Sequence, residues 1–88
     1  MPRIVITHGV VEIERWLKGK EERAVAIGTA GSDVRDHVAV DGSNQVAVTA
    51  EVDDLEALQA MLASPPPEIA AQMESHGVVP PITVYIER

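Results

Sequence analysis

The spacing of apolar residues switches between two periods along the chain, and each period predicts a kind of backbone. Arg3 to His8 is an Ile and Val run that fits a short strand. From about Val11 to Ile27 the apolar positions Ile13, Trp16, Leu17, Ala24 and Ile27 recur at helical spacing, with Glu12, Glu14, Lys18, Glu21 and Glu22 on the wet side. Gly28 is placed to end that helix. Asp33 to Val40 and Gln45 to Val52 alternate and are separated by Asp41, Gly42, Ser43 and Asn44, which predicts a β-hairpin. Asp53 or Asp54 can cap a second helix carrying Leu55, Leu58 and Leu62, with Glu56 three after Asp53 as in a capping box. Ser64 and the prolines up to Pro67 break it. A further helical segment restarts near Pro66, presents Ile69, Met73 and His76, and stops at Gly77. Ile82 to Glu87, after Pro80 and Pro81, reads as the last strand.

The order is β-α-β-β-α-β. Right-handed crossovers turn it into a ferredoxin-like α+β fold, an antiparallel sheet in the order 4-1-3-2 with the helices on one face. The whole chain, 1–88, is read as a single domain.

Side-chain parity then assigns faces. Ile4, Ile6 and His8, then Val34, Val38 and Val40, then Val46, Val48, Ala50 and Val52, then Ile82, Val84 and Ile86, belong to the helix-facing set. Arg35, His37, Thr49, Glu51 and Tyr85 fall on the opposite, polar face. Pairing Val40 with Val46 and Val38 with Val48 requires a three-residue loop, Gly42 to Asn44, and places Arg35 opposite Glu51 and His37 opposite Thr49. Three residues interrupt the aliphatic layer: His8 on the first strand, Trp16 on the first helix, and His76 just before the last strand. Because the first and last strands run antiparallel, these three are expected to converge between helices and sheet.

Composition narrows the function. A domain of 88 residues buries only about 60% of its unfolded surface, and the sequence has no cysteine to brace it. Together with the polar sheet face, this makes a homodimer the expected form. The net charge of −7 and the scattered basic residues speak against a nucleic-acid partner. No apolar stretch approaches the roughly 20 residues of a membrane span, and nothing at the N-terminus reads as a signal peptide, so a cytoplasmic protein is expected. Two histidines without neighbouring carboxylates fall short of the three or four ligands of a metal site, and no cofactor-binding motif is present, so neither a metal nor a cofactor is expected.

At His8, Trp16, the charged face of the first helix and the strand Val34 to Val40, the chain resembles the dimeric α/β barrel superfamily. It is most similar to the small antibiotic-biosynthesis-monooxygenase-like and stress-responsive barrel proteins. The resemblance implies two sheets packed face to face as a barrel, with Arg35, His37, Thr49, Glu51 and Tyr85 in its interior and a ligand pocket between sheet and helices in each protomer. Its known activities include cofactor-independent oxygenases of polycyclic phenols, lactone isomerases and haem-degrading enzymes. The absence of Phe and the single Trp speak against a large aromatic substrate here.

Three functional readings follow. In the first, His8 or His76 is the catalytic base for an acidic C–H or O–H of a small organic substrate, and Trp16 is a substrate-binding pocket wall. In the second, the chain is a non-catalytic ligand-binding or stress-related module, with the space under the helices filled by Leu58, Leu62, Ile69 and Met73. In the third, it is a regulatory domain that dimerises side by side and leaves Arg35, His37 and Tyr85 in solvent.

Overall fold

The computed structural model describes residues 2–88 as eight elements. They are β1 (Arg3–Val10), α1 (Ile13–Lys18), α2 (Lys20–Gly28), β2 (Gly31–Val38), β3 (Gln45–Val52), α3 (Leu55–Ala63), α4 (Pro67–Ser75) and β4 (Val78–Ile86). The strands form one antiparallel sheet in the order β2-β3-β1-β4, which is the expected 4-1-3-2 order read from the other edge. Both predicted helices are split in two. No helix among the described residues is long and apolar enough to cross a membrane.

The face assignments hold on the two central strands, where every second side chain is buried: Ile4, Ile6, His8 and Val10 on β1, and Val46, Val48, Ala50 and Val52 on β3. Trp16, Ile27 and Leu58 from the helices close over this layer. Leu58 has no solvent exposure, and burial of such a side chain stabilises the fold by about 1.5–3 kcal/mol.

The break in the first helix falls at Gly19, a residue of poor helix propensity, whose amide donates to the Trp16 carbonyl at 3.1 Å. A Cβ there would lie 2.2 Å from Nε2 of His76, so the site needs glycine for space. Leu17, expected on the buried stripe, is exposed, and Arg23 takes a buried position beside Trp16 and Ile27.

The hairpin differs from expectation. Strand β2 begins at Gly31 and ends at Val38, and Val38, not Val40, pairs with Val46. The connecting loop therefore runs from residue 39 to 44, and Val40 is fully exposed in it. Arg35 lies opposite Thr49 and His37 opposite Ala47, so the expected Arg35–Glu51 and His37–Thr49 pairs do not form. Parity was right and the register was two residues off. The shift brings Asp36 opposite Val48 on the helix-facing side, where Arg23 meets it.

A bulge between Ser32 and Arg35 puts Asp33 in the left-handed region at φ 54°, a conformation that Asp tolerates better than most residues. There Asp33 accepts from both Arg3 (2.9 Å) and Arg35 (3.0 Å), while Arg3 reaches Glu51 at 3.4 Å. The hydrogen bonds from Arg3 and then Arg35 hold the Asp33 carboxyl below its usual range.

The second broken helix follows the sequence closely. Of the two candidate caps Asp54 is the one used, its Oδ1 accepting from the Ala57 amide at 3.0 Å, so the third helical residue is Ala57 and the expected capping box of Asp53 with Glu56 does not form. Pro67 occupies the first turn of α4, and Gly77, at φ 73°, ends it. Strand β4 starts four residues earlier than expected, at Val78, with Pro80 and Pro81 accommodated at a register shift on this edge strand. Replacing Asp54 with Ala removes the α3 cap and is expected to lower stability by about 0.5–2 kcal/mol, read from the urea unfolding midpoint at pH 7.

Candidate active site

Between sheet and helices lies a cavity of about 70 Å³, room for roughly five to seven water-sized groups. Ile6, Val48 and Ile82 form its sheet side, and Ile27, Met61 and Met73 contribute from the helices. Its polar lining consists of His8, Arg23, Gln72 and His76. The filled interior expected of a purely structural module is thus absent. Leu62, Ile69 and Met73 border open space, and only Leu58 is wholly packed.

His8 owes its position to β1 parity and to the irregularity beside it. Thr7 pairs with Thr83 and Gly9 with Val79, so the stretch from Pro80 to Ile82 faces the single residue His8. Bulges of this kind re-aim side chains. Nδ1 of His8 lies 2.7 Å from the Gly9 carbonyl oxygen. A carbonyl only accepts, so Nδ1 carries the proton and donates, and the lone pair belongs to Nε2. Burial pushes the His8 pKa below the ordinary 6.5, and the positive charge of Arg23 pushes the same way against the raising effect of the Gly9 bond. His8 is therefore a neutral imidazole at pH 7 with one uncommitted acceptor nitrogen.

His76 is held differently. Arg15 from α1 donates to the carbonyls of Ser75 (2.7 Å) and Glu74 (2.6 Å), fixing the end of α4 and with it the His76 backbone. The ring packs against Gly19, and its Nδ1 lies 3.3 Å from Nη1 of Arg23. Arginine has no acceptor, so Nδ1 accepts and the proton resides on Nε2. That N–H is buried without a hydrogen-bond partner, and Oε1 of Glu22 lies 3.7 Å from Nε2. The lone pair of His76 is already in use, whereas that of His8 is free.

Arg23 joins these parts. Its Nε and Nη2 donate to the two carboxylate oxygens of Asp36 at 3.1 and 3.3 Å, and Nη2 also donates to the Trp16 carbonyl at 3.0 Å. Its guanidinium carbon sits 3.9 Å from the centroid of the Trp16 ring, a cation–π contact. The side chains of Arg23 and Asp36 are only 10% and 3% exposed, so the ion pair is a buried one.

The sequence-derived trio does come together, with one difference of role. Trp16 meets His8 edge to face with ring centroids 6.1 Å apart, but it is fully buried and does not line the cavity. It supports His8 and Arg23 from behind. Arg23 and Asp36 were missed, although both carried a signal. Arg23 is seven residues after Trp16 and four before Ile27, on the same helical stripe, and Asp36 shares the parity of Val34 and Val38. Arg35, His37 and Tyr85 are exposed on the far side of the sheet, with Thr49 and Glu51 half-buried between them. Among the described residues no group of three or more His, Asp or Glu side chains is arranged to hold a metal ion.

The architecture is a ferredoxin-like domain shared with antibiotic-biosynthesis-monooxygenase-type structures. A protein of that type from Bordetella bronchiseptica superposes with a TM-score of 0.72 at 8% identity, over 99% of this chain and 94% of its own. SnoaB, a cofactor-independent oxygenase from Streptomyces nogalater, does so with a TM-score of 0.64 at 14% identity, over 99% and 92%. A protein of the same type from Deinococcus radiodurans gives 0.58 at 17% identity, over 97% and 90%. At these identities the likeness is one of fold. The sequence matches no protein-family model and no curated protein.

Two outcomes check this site. Asp36→Ala leaves Arg23 buried without its counter-ion and is expected to lower stability by about 3–5 kcal/mol, measured by urea unfolding. The second concerns pH. The His8 pKa is lower folded than unfolded, so below about 6.5 the unfolded chain binds the extra proton first and stability falls on acidification. The part of the slope between pH 7.5 and 5 that comes from His8 should vanish in His8→Asn, whose side-chain amide can still donate to the Gly9 carbonyl. Equal slopes in both proteins would show that His8 is not buried as described.

Proposed function

We propose that the chain is a small enzyme of the cofactor-independent monooxygenase or isomerase kind, in which His8 is the general base toward a small organic substrate held between helices and sheet. The observation that carries this is the state of His8: a neutral ring with Nδ1 locked and Nε2 open, on the wall of an otherwise largely apolar cavity. A base must be unprotonated to act, and desolvation together with Arg23 keeps it so. Proton removal from an acidic C–H or O–H leaves an anion with two fates. Return of the proton at another carbon makes the reaction an isomerisation, and capture of dioxygen makes it an oxygenation, the class to which the structural neighbour SnoaB belongs. His76, its lone pair engaged by Arg23, serves to orient the guanidinium. The base role therefore rests on His8 alone.

The activity of His8 is tested by solvent-deuterium incorporation into a panel of small C–H acids, followed by NMR. His8→Asn should lose about 10²- to 10⁴-fold in rate, and the wild-type rate should fall on the acid side with an apparent pKa below 6.5. Retention of the wild-type rate in His8→Asn would remove the histidine base from the reading.

We further infer that the protein works as a homodimer through the sheet face away from the helices. Tyr85 is more than half exposed there, beside the partly apolar surface of Val5 and Ala47, and a second copy of the sheet would cover all three. Sedimentation equilibrium should give twice the 9.4 kDa chain mass, and Tyr85→Glu should shift the population toward the single-chain mass.

A further inference from the structure

We propose that the cavity takes a small, uncharged, enolisable carbonyl compound, and that Arg23 is a second catalytic residue whose one uncommitted N–H binds the carbonyl oxygen as negative charge develops on it. The proposal rests on His8 as the base and adds what that base acts upon.

The donor count comes first. A guanidinium has five N–H groups. Four are committed: two to Asp36, one to the Trp16 carbonyl and one to Nδ1 of His76. The fifth, on Nη1, has no acceptor among the described residues, and Arg23 lines the cavity together with His8. The site therefore offers one basic lone pair, on Nε2 of His8, and one charged donor, beside the neutral amide of Gln72. His8 and Arg23 both pack on the Trp16 ring, His8 edge to face at 6.1 Å between centroids and the guanidinium carbon of Arg23 3.9 Å from the centroid, so they line the cavity close to one another. Proton abstraction next to a carbonyl needs this combination: a base for the C–H and a donor held where the oxyanion forms.

Charge selects an uncharged substrate. Asp36 already neutralises Arg23, and no carboxylate lines the cavity. A substrate entering as an anion would give up its hydration for one N–H of an already neutralised guanidinium and the neutral amide of Gln72 among mostly aliphatic walls, which is unfavourable. A neutral carbonyl compound avoids this. Its α C–H bond breaks, the proton forms the Nε2–H bond of His8, and the electron pair passes through a new C=C bond onto the oxygen, so the net charge of the cavity stays constant. Return of the proton to the same or a conjugated carbon restores His8 without any oxidant or reductant.

Wall chemistry favours a small aliphatic one. The cavity is about 70 Å³ and no Phe, Tyr or Trp is among its lining residues. Met61 and Met73, on the helix side, are the side chains best able to adapt to an irregular aliphatic shape.

The test uses cyclohexanone carrying ¹³C at the carbonyl. In the wild-type protein its bound carbonyl resonance should lie downfield of its position in cyclohexane, reporting a donor on the oxygen, and its α hydrogens should exchange with deuterium faster than in buffer. Arg23→Lys keeps the charge but loses the planar fork, so exchange should drop by about 10²- to 10³-fold, as for loss of one oxyanion donor, and the downfield shift should shrink. Should that variant fail to fold, Gln72→Leu separates the two donors that line the cavity: the downfield shift should survive it, and its loss there would overturn the proposal. No binding up to the solubility limit, an unshifted carbonyl, or cyclohexanecarboxylate binding as tightly as the ketone would each overturn the proposal. An unshifted carbonyl with exchange still dependent on His8 overturns the Arg23 role alone. A shifted carbonyl with exchange unaffected by His8→Asn overturns the base assignment, and the enolate role of Arg23 with it.

Discussion

The buried pair of Arg23 and Asp36 is the interaction on which the rest of this structure turns. Two charges removed from water are tolerated only when each satisfies the other and their remaining hydrogen-bonding groups find partners. Here that condition ties four elements together. Asp36 of β2 holds Arg23 of α2 above the sheet, the Trp16 carbonyl and ring bring the end of α1 onto the guanidinium, and Nδ1 of His76 attaches the end of α4. The hairpin register is tied to it, and the helix break at Gly19 makes room for the His76 ring that shares the guanidinium. A register with Val38 opposite Val48 would displace Asp36 by two residues along β3. A continuous helix with a side chain at position 19 would collide with the His76 ring.

The same pair separates two histidines that look equivalent in the sequence. Each is buried, each lines the cavity, and each has one nitrogen engaged. What differs is the sign of the partner. His8 faces a carbonyl oxygen, which takes its proton-bearing nitrogen and leaves the lone pair free, whereas His76 faces a guanidinium, which takes the lone pair. Tautomer, and with it chemical capacity, is thus set by the neighbour.

On the far side of the sheet the charged residues satisfy one another within the chain. Asp33 at the bulge is the centre of that arrangement, accepting from Arg3 and Arg35 while Arg3 also reaches Glu51. Exposed pairs of this kind add little stability. Their effect is to gather the charges of Arg3, Asp33 and Arg35 around the bulge, apart from Val5, Ala47 and Tyr85.

The strands, their order, the faces of β1 and β3 and the proline-broken helix were legible in the sequence, and the cap of α3 was narrowed to Asp53 or Asp54. Each depends on local periodicity or on residues with strong backbone preferences, and such signals act over a few neighbours. The convergence of His8, Trp16 and His76 was legible too, because antiparallel pairing of the first and last strands leaves little freedom. Tertiary structure alone decided the hairpin register, since parity permits every shift by two and only the meeting of Asp36 with Arg23, thirteen residues apart, selects one. It also decided which histidine keeps a free lone pair. A ring nitrogen's role depends on whether a carbonyl or a guanidinium lies within about 3 Å of it, and no spacing along the chain encodes that.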